Sequence, residues 1–256
     1  MRLPRRLGHA EEATLVEHLG ELRSRLVISL IAVALAFAVT YAFRAHLLHW
    51  LNKPLPERLH GKPVTFGVAE PFITSFMVSF YAALLIALPV ILWQLWSFLA
   101  PAFEESSQRI VALFVLFASV LLAAGVAFGY WLVLPQALHF LTHYDDRLYH
   151  IQIRARDYFS FALAVLAAVG IVFELPIFVL GLVRIGILST HTLRHNRRLG
   201  YFIVAVVAVL LPGVDPVTTV FEGIPLVILY EGSIWLAVLM ERRWGVRETE
   251  AAAEPL

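Results

Sequence analysis

Four apolar stretches decide what this chain can fold into: residues 26–43, 71–99, 110–134 and 158–183, which are 18, 29, 25 and 26 residues long. A helix rises 1.5 Å per residue, so about 20 apolar residues cross the roughly 30 Å hydrocarbon core of a bilayer. Composition agrees. The 256 residues are 60% hydrophobic and 15% charged with mean hydropathy +0.78, whereas a soluble domain is nearer 45–50% apolar and about 25% charged. The expectation is an all-α polytopic membrane protein.

Two further stretches are weaker. Residues 199–211 number only 13, and residues 217–240 are interrupted by Glu222, Pro225 and Glu231. Counting both gives six spans, the last two short, and such spans thin the bilayer locally or lean on neighbours. Lys and Arg outside the spans set the orientation, because they favour the cytoplasmic side. With six spans, 13 of them share a side with both termini and 7 lie on the other. Both termini are therefore expected in the cytoplasm. The chain divides into a cytoplasmic segment 1–25 with an amphipathic helix, a transmembrane domain 26–240, and a disordered cytoplasmic tail 241–256. Ala32-Val33-Ala34 imitates a signal-peptidase site, but the apolar run continues past it, so the first helix reads as uncleaved. The external segments 44–70 and 135–157 are long enough for a cap of short helices.

The formal net charge of +1 gives no hint of nucleic acid. Cysteine is absent, which removes disulfides, thiol catalysis and palmitoylation. No H-E-x-x-H or G-x-S-x-G pattern supports an intramembrane hydrolase. His139 and His143, like His191 and His195, are spaced for a shared metal, yet neither pair has a third ligand at a characteristic offset. Loop histidines are the favoured reading, and no metal or other cofactor is expected.

Thr14-Leu15-Val16-Glu17 fits a capping box, so a helix starts there. Along it Leu15, Leu19, Leu22 and Leu26 make one stripe, while Glu17, Glu21 and Arg25 share a row. An interfacial helix with solvated charges and an acidic surface for a cationic partner both fit this pattern. Glu174 lies inside the fourth apolar stretch, where an ionisable group costs about 2.5–3.5 kcal/mol on insertion scales and is functional by default. Pro176 frees the carbonyl of Val172 and kinks the helix beside it. A protonated, hydrogen-bonded glutamate and a proton relay of a secondary transporter are alternatives there. Asp215, between Pro212 and Pro216, is either a site or a helix N-cap. Glu222 and Glu231, nine apart, fall on opposite helix faces.

Taken in order, several segments resemble one family. His18-Leu-Gly-Glu21-Leu-Arg23-Ser-Arg25-Leu26 is similar to the amino-terminal signature of TatC, the multispanning core of the twin-arginine protein translocase. Similar too are Ala69-Glu70-Pro71-Phe72, the run from Pro89 through Trp96 and Phe98 to Pro101, Phe173-Glu174-Leu-Pro176, Asp215 and Ile224-Pro225. The resemblance covers residues 18–241.

It implies a non-enzymatic receptor in the bacterial cytoplasmic membrane. Such a receptor binds signal peptides with paired arginines and works in an oligomeric complex with single-span subunits of the TatA and TatB type to move folded proteins. It further implies signal-peptide contacts at Glu21, Arg23 and Phe98, and docking positions at Pro54, Glu174 and Asp215. One departure stands out. Where the family carries a loop glutamate, this chain has Ser107, within Phe103-Glu104-Glu105-Ser106-Ser107-Gln108-Arg109. Either Glu104 or Glu105 supplies the charge, or recognition is altered. Ser107 by itself reads as an N-cap for the third span.

Overall fold

The computed structural model describes residues 15–55, 63–99, 108–144, 148, 151–184, 186–212 and 216–244. Among them the regular secondary structure is helix, joined by turns and short irregular segments, with one isolated β-bridge between Val64 and Arg154. The helices are α1 (Leu15–Ala42), α2 (Arg44–Asn52), α3 (Glu70–Leu99), α4 (Gln108–Phe128), α5 (Leu134–His143), α6 (Ala155–Phe173), α7 (Leu175–Arg184), α8 (Thr190–His195), α9 (Arg197–Leu210) and α10 (Pro216–Trp244). Five helical stretches are long and apolar enough to cross a membrane: Leu19–Ala42, Glu70–Phe98, Ala112–His143, Ala155–Arg184 and Pro216–Glu241.

The amphipathic segment and the first apolar stretch form one unbroken helix, α1, since no glycine, proline or turn chemistry separates them after Gly20. Only 6% of its span is buried inside the molecule, against 50% for Ala155–Arg184. So α1 is peripheral and lies along α3, while α6 and α7 run through the middle. Leucines such as Leu26, Leu30 and Leu35 face outward from α1, as lipid-facing positions do. A buried hydrogen bond from Thr40 Oγ1 to the carbonyl of Ser79, 2.8 Å, ties α1 to α3. Polar side chains join helices in this way where lipid offers no alternative partner.

The third apolar stretch runs nine residues further than its composition suggests, and the reason is local. Pro135 has no N–H to donate and its ring clashes with the carbonyl four residues earlier. The backbone answers with a π-turn at Gly129–Val133, whose wider spacing leads directly into α5. Of the two long connections, the first forms the short helix α2 as anticipated, whereas at the second α5 continues the third stretch rather than standing apart as a cap helix. Tyr130 stacks on Trp50 at 3.7 Å and donates its hydroxyl to the Trp50 carbonyl at 2.8 Å. Tyr158 donates to the carbonyl of Leu51. Tyr158 thus supplies a donor to the last turn of α2, where helix carbonyls run out of donors, and Tyr130 adds a second donor to the Trp50 carbonyl, which Lys53 N–H already reaches at 3.1 Å.

Small residues set the central contact. A Cβ on Gly125 of α4 would stand 2.8 Å from Phe173 Cβ and 3.0 Å from Gly170 Cα of α6. That approach is available only where side chains are absent. The last stretch, expected to be a short span because Glu222, Pro225 and Glu231 interrupt it, instead forms one 29-residue helix, α10. It packs on α7 and α9, and its buried Leu226, Tyr230 and Ile234 meet Val204 and Ala208 of α9.

Candidate functional site

Glu21 and Arg25 sit one turn apart on α1, beside the last turn of α3. Arg25 Nε donates to Glu21 Oε1 at 2.9 Å, and Nη2 donates to the same oxygen. Nη2 also donates to the carbonyl of Ser97 at 3.1 Å. Ser97 precedes the half-buried Phe98 near the C-terminal end of α3, where helix carbonyls lack intrahelical donors. The bond therefore brings Glu21 and Phe98, 77 positions apart, to one end of the bundle. Arg23 is exposed on the same turn. Glu104, Glu105 and Ser107 lie outside the described residues. So does Thr14, the first residue of the capping box.

Glu174 stands where the fourth stretch breaks. It caps α6, its N–H reaching Ile171 O at 3.1 Å, and α7 resumes with Ile177 N–H on the Glu174 carbonyl at 3.0 Å. The break is the kink that Pro176 calls for. Its side chain is buried to 3% exposure, beside the backbone of Leu122 on α4. Among the described residues neither carboxylate oxygen has a hydrogen bond of normal geometry. Glu222, on α10, is equally buried. Glu231, nine positions on, turns to α9 instead, accepting from Tyr201 and pairing with Arg197 at 3.5 Å.

Pro54 follows α2 at the opposite end of the bundle from Glu21, and Asp215 lies outside the described residues. The histidine pairs are on helices, not loops: His139 and His143 on α5, His191 and His195 on α8. An i, i+4 spacing stacks the rings, at 4.2 Å in the first pair. Among the described residues no three His, Cys, Asp or Glu side chains are grouped for a metal.

Sequence reasoning passed over one polar hub. Glu70, the first residue of α3, accepts from Arg154 Nε at 2.9 Å and Nη2 at 3.1 Å. It also accepts from the backbone N–H groups of Phe66, Gly67 and Arg156 at 3.1, 3.2 and 3.3 Å. Its carboxylate raises the Arg154 pKa above its ordinary value, chiefly through that hydrogen bond. The neighbouring bridge is held by Val64 N–H on Ile153 O, 3.0 Å, and Ala155 N–H on Val64 O, 2.8 Å. Glu70 thereby joins the first connection to the start of α6. Nothing at Glu70 marks a partner 84 positions away. Glu70→Arg is expected to lower the thermal midpoint of the purified protein by several degrees. The swap Glu70→Arg/Arg154→Glu is expected to recover part of the loss, and equal midpoints for the single and double variants would refute the pairing. Recovery stays incomplete because Phe66 and Gly67 still lack their acceptor.

Comparison with known proteins gives a consistent picture. The family model described as Sec-independent protein translocase protein (TatC) matches residues 17–225. The chain is 32% identical to the Sec-independent protein translocase protein TatCd of Bacillus subtilis, covering 95% of this chain and 99% of the relative. It is 34% identical to the TatC protein of Desulforapulum autotrophicum, covering 94% and 90%. A crystal structure of the twin-arginine translocase receptor TatC in DDM superposes with a TM-score of 0.75 at 32% identity. That match covers 86% of this chain and 99% of the other.

Proposed function

The chain belongs to the TatC family of Sec-independent protein translocase proteins, and from this premise we propose that it is the translocase subunit that receives signal peptides bearing paired arginines. One observation carries the reading. A guanidinium is already seated on Glu21, within hydrogen-bonding reach of the α3 end that holds Phe98. The surface therefore accommodates the planar fork of arginine on a carboxylate, which is the chemistry a paired-arginine ligand needs. Glu21 supplies one carboxylate, and Glu104 or Glu105 supplies the second, in place of the glutamate that Ser107 replaces. Arg23 and Phe98 border the same surface.

In this reading the chain is a multi-pass protein of the bacterial cytoplasmic membrane with six spans and both termini in the cytoplasm. The fifth span is α9, whose 14 residues cover about 21 Å at 1.5 Å each. It lies against α10, which supplies the neighbour that a short span needs. Single-span subunits of the TatA and TatB type complete the complex, since one copy of this bundle is too small to enclose a folded cargo. Glu174, Asp215 and Pro54 are docking positions for those helices or for the inserted signal peptide. A proton-coupled transporter built on Glu174 finds no support in the family match.

Site-specific crosslinking tests the proposal. A paired-arginine peptide is expected to label positions at Glu21 and in the 104–107 loop, and a Lys-Lys peptide to label them at least about tenfold less. Equal labelling by the two peptides would refute it.

A further inference from the structure

Glu21 does not stand open in this structure. Arg25 lies across it with two donors on Oε1, and among the described residues Oε2 has no partner. Both side chains are only partly exposed, 28% for Glu21 and 22% for Arg25. The occupant is chemically the same group as the ligand proposed above, a guanidinium. Arg23 adds a second cation on the same turn, so Glu21, Arg23 and Arg25 together carry one net positive charge. With Arg25 in place, this turn offers an incoming cation no net attraction.

We propose that Arg25 is a resident guanidinium guarding Glu21, and that an incoming arginine takes the carboxylate by displacing it. The inference rests on the reading of Glu21 as a signal-binding carboxylate, and it names what sets the affinity threshold of that site. Arg25 is held one turn away on the same helix, at the high effective concentration that a short tether gives. Every cation that takes Glu21 must displace it, so Arg25 weakens all such ligands by one common factor and shuts out those whose own hold is weak. A peptide arginine replaces fork with fork and restores both N–H···O bonds that Arg25 gives up. A lysine is a compact point charge without a planar fork, so it starts from a weaker hold and falls below that threshold sooner.

Arg25 has somewhere to go when displaced. Its Nη2 already touches Ser97 O at the C-terminal end of α3, where open carbonyls and the helix dipole favour a cation. The exchange moves Arg25 wholly onto that end, without stranding a charge. It also leaves the seam between α1 and α3 bridged while the peptide is bound.

The test uses the full-length purified protein and compares dissociation constants for an Arg-Arg and a Lys-Lys signal peptide. Arg25→Gln keeps an N–H donor for Ser97 O but removes the competing charge. It is expected to bind both peptides about tenfold tighter than the unsubstituted protein does, with the Arg-Arg to Lys-Lys ratio unchanged. Arg25→Lys keeps a cation at the position, serves if the Gln variant fails to fold, and should tighten both by a smaller common factor. A folded Arg25→Gln variant, or a folded Arg25→Lys variant in its place, that binds the Arg-Arg peptide no tighter than the unsubstituted protein would overturn the inference. So would parallel loss of both peptides with an unchanged thermal midpoint, since Arg25 would then merely orient Glu21. An unsubstituted protein that binds neither peptide would instead overturn the reading of Glu21 itself.

Discussion

Gly181→Leu is expected to leave almost no folded protein in the membrane. Gly181 lies on α7 against Trp96 of α3, and a Cβ there would stand 2.9 Å from Cζ3 and 3.3 Å from Cζ2, with Cη2 closer still. The indole has no room to retreat. Trp96 is buried to 5% exposure among Leu92, Phe114, Ala118, Ile177, Leu180 and Ala237. Overpacking a filled core costs about 1–3 kcal/mol and occasionally more, and leucine adds three further carbons beyond the one that already collides. Gly181→Ala should fall within that range, and Leu should exceed it. Denaturation in mixed micelles measures both. The informative variant is the pair with Trp96→Ala, which alone opens a cavity worth about 3–5 kcal/mol. A leucine at 181 refills that space, so the double variant should be more stable than the sum of its parts predicts. Strict additivity would show that the two side chains do not share the site.

Glu21→Lys is expected to weaken binding of a paired-arginine peptide by about ten- to a hundredfold while leaving the fold intact. Hydrogen bonds to charged groups contribute about 1.5–3 kcal/mol, and each 1.4 kcal/mol is tenfold in affinity. Lysine removes the acceptor and sets a third cation beside Arg23 and Arg25. Stability should change little, because a partly exposed ion pair such as Glu21 with Arg25 is screened by solvent and contributes about 0–1 kcal/mol. The two readouts separate the roles: titration of a labelled peptide reports binding, and the thermal midpoint reports the fold. Binding within twofold of the unsubstituted protein would remove Glu21 from the site.

Much of this was legible in the chain. The four long apolar stretches became membrane-length helices because run length and hydropathy are local quantities, and lipid requires backbone groups to be paired within the segment. The break at Glu174 followed from Pro176, since a missing N–H acts on the turn that precedes it. The i, i+4 row of Glu21 and Arg25 was also readable, and the structure turned that spacing into an ion pair. The third stretch outran its expected end because composition carries no sign of a π-turn that lets a helix continue through Pro135.

The pairings across the chain had no such signal. Glu70 reads as one charged residue at the mouth of an apolar stretch until Arg154, Phe66 and Gly67 converge on it. The hydroxyls of Tyr130 and Tyr158 meet the end of α2 only once the helices pack. Which stretches become helices is written in the chain, because apolar length, proline and short-range spacing act within a few turns, and the family is legible in its ordered motifs. Only the tertiary structure decided that Arg25 bridges Glu21 to Ser97, that Glu70 holds Arg154, and that Gly181 makes room for Trp96. Such contacts depend on how whole helices pack, and helix packing is a joint property of surfaces far apart in the chain.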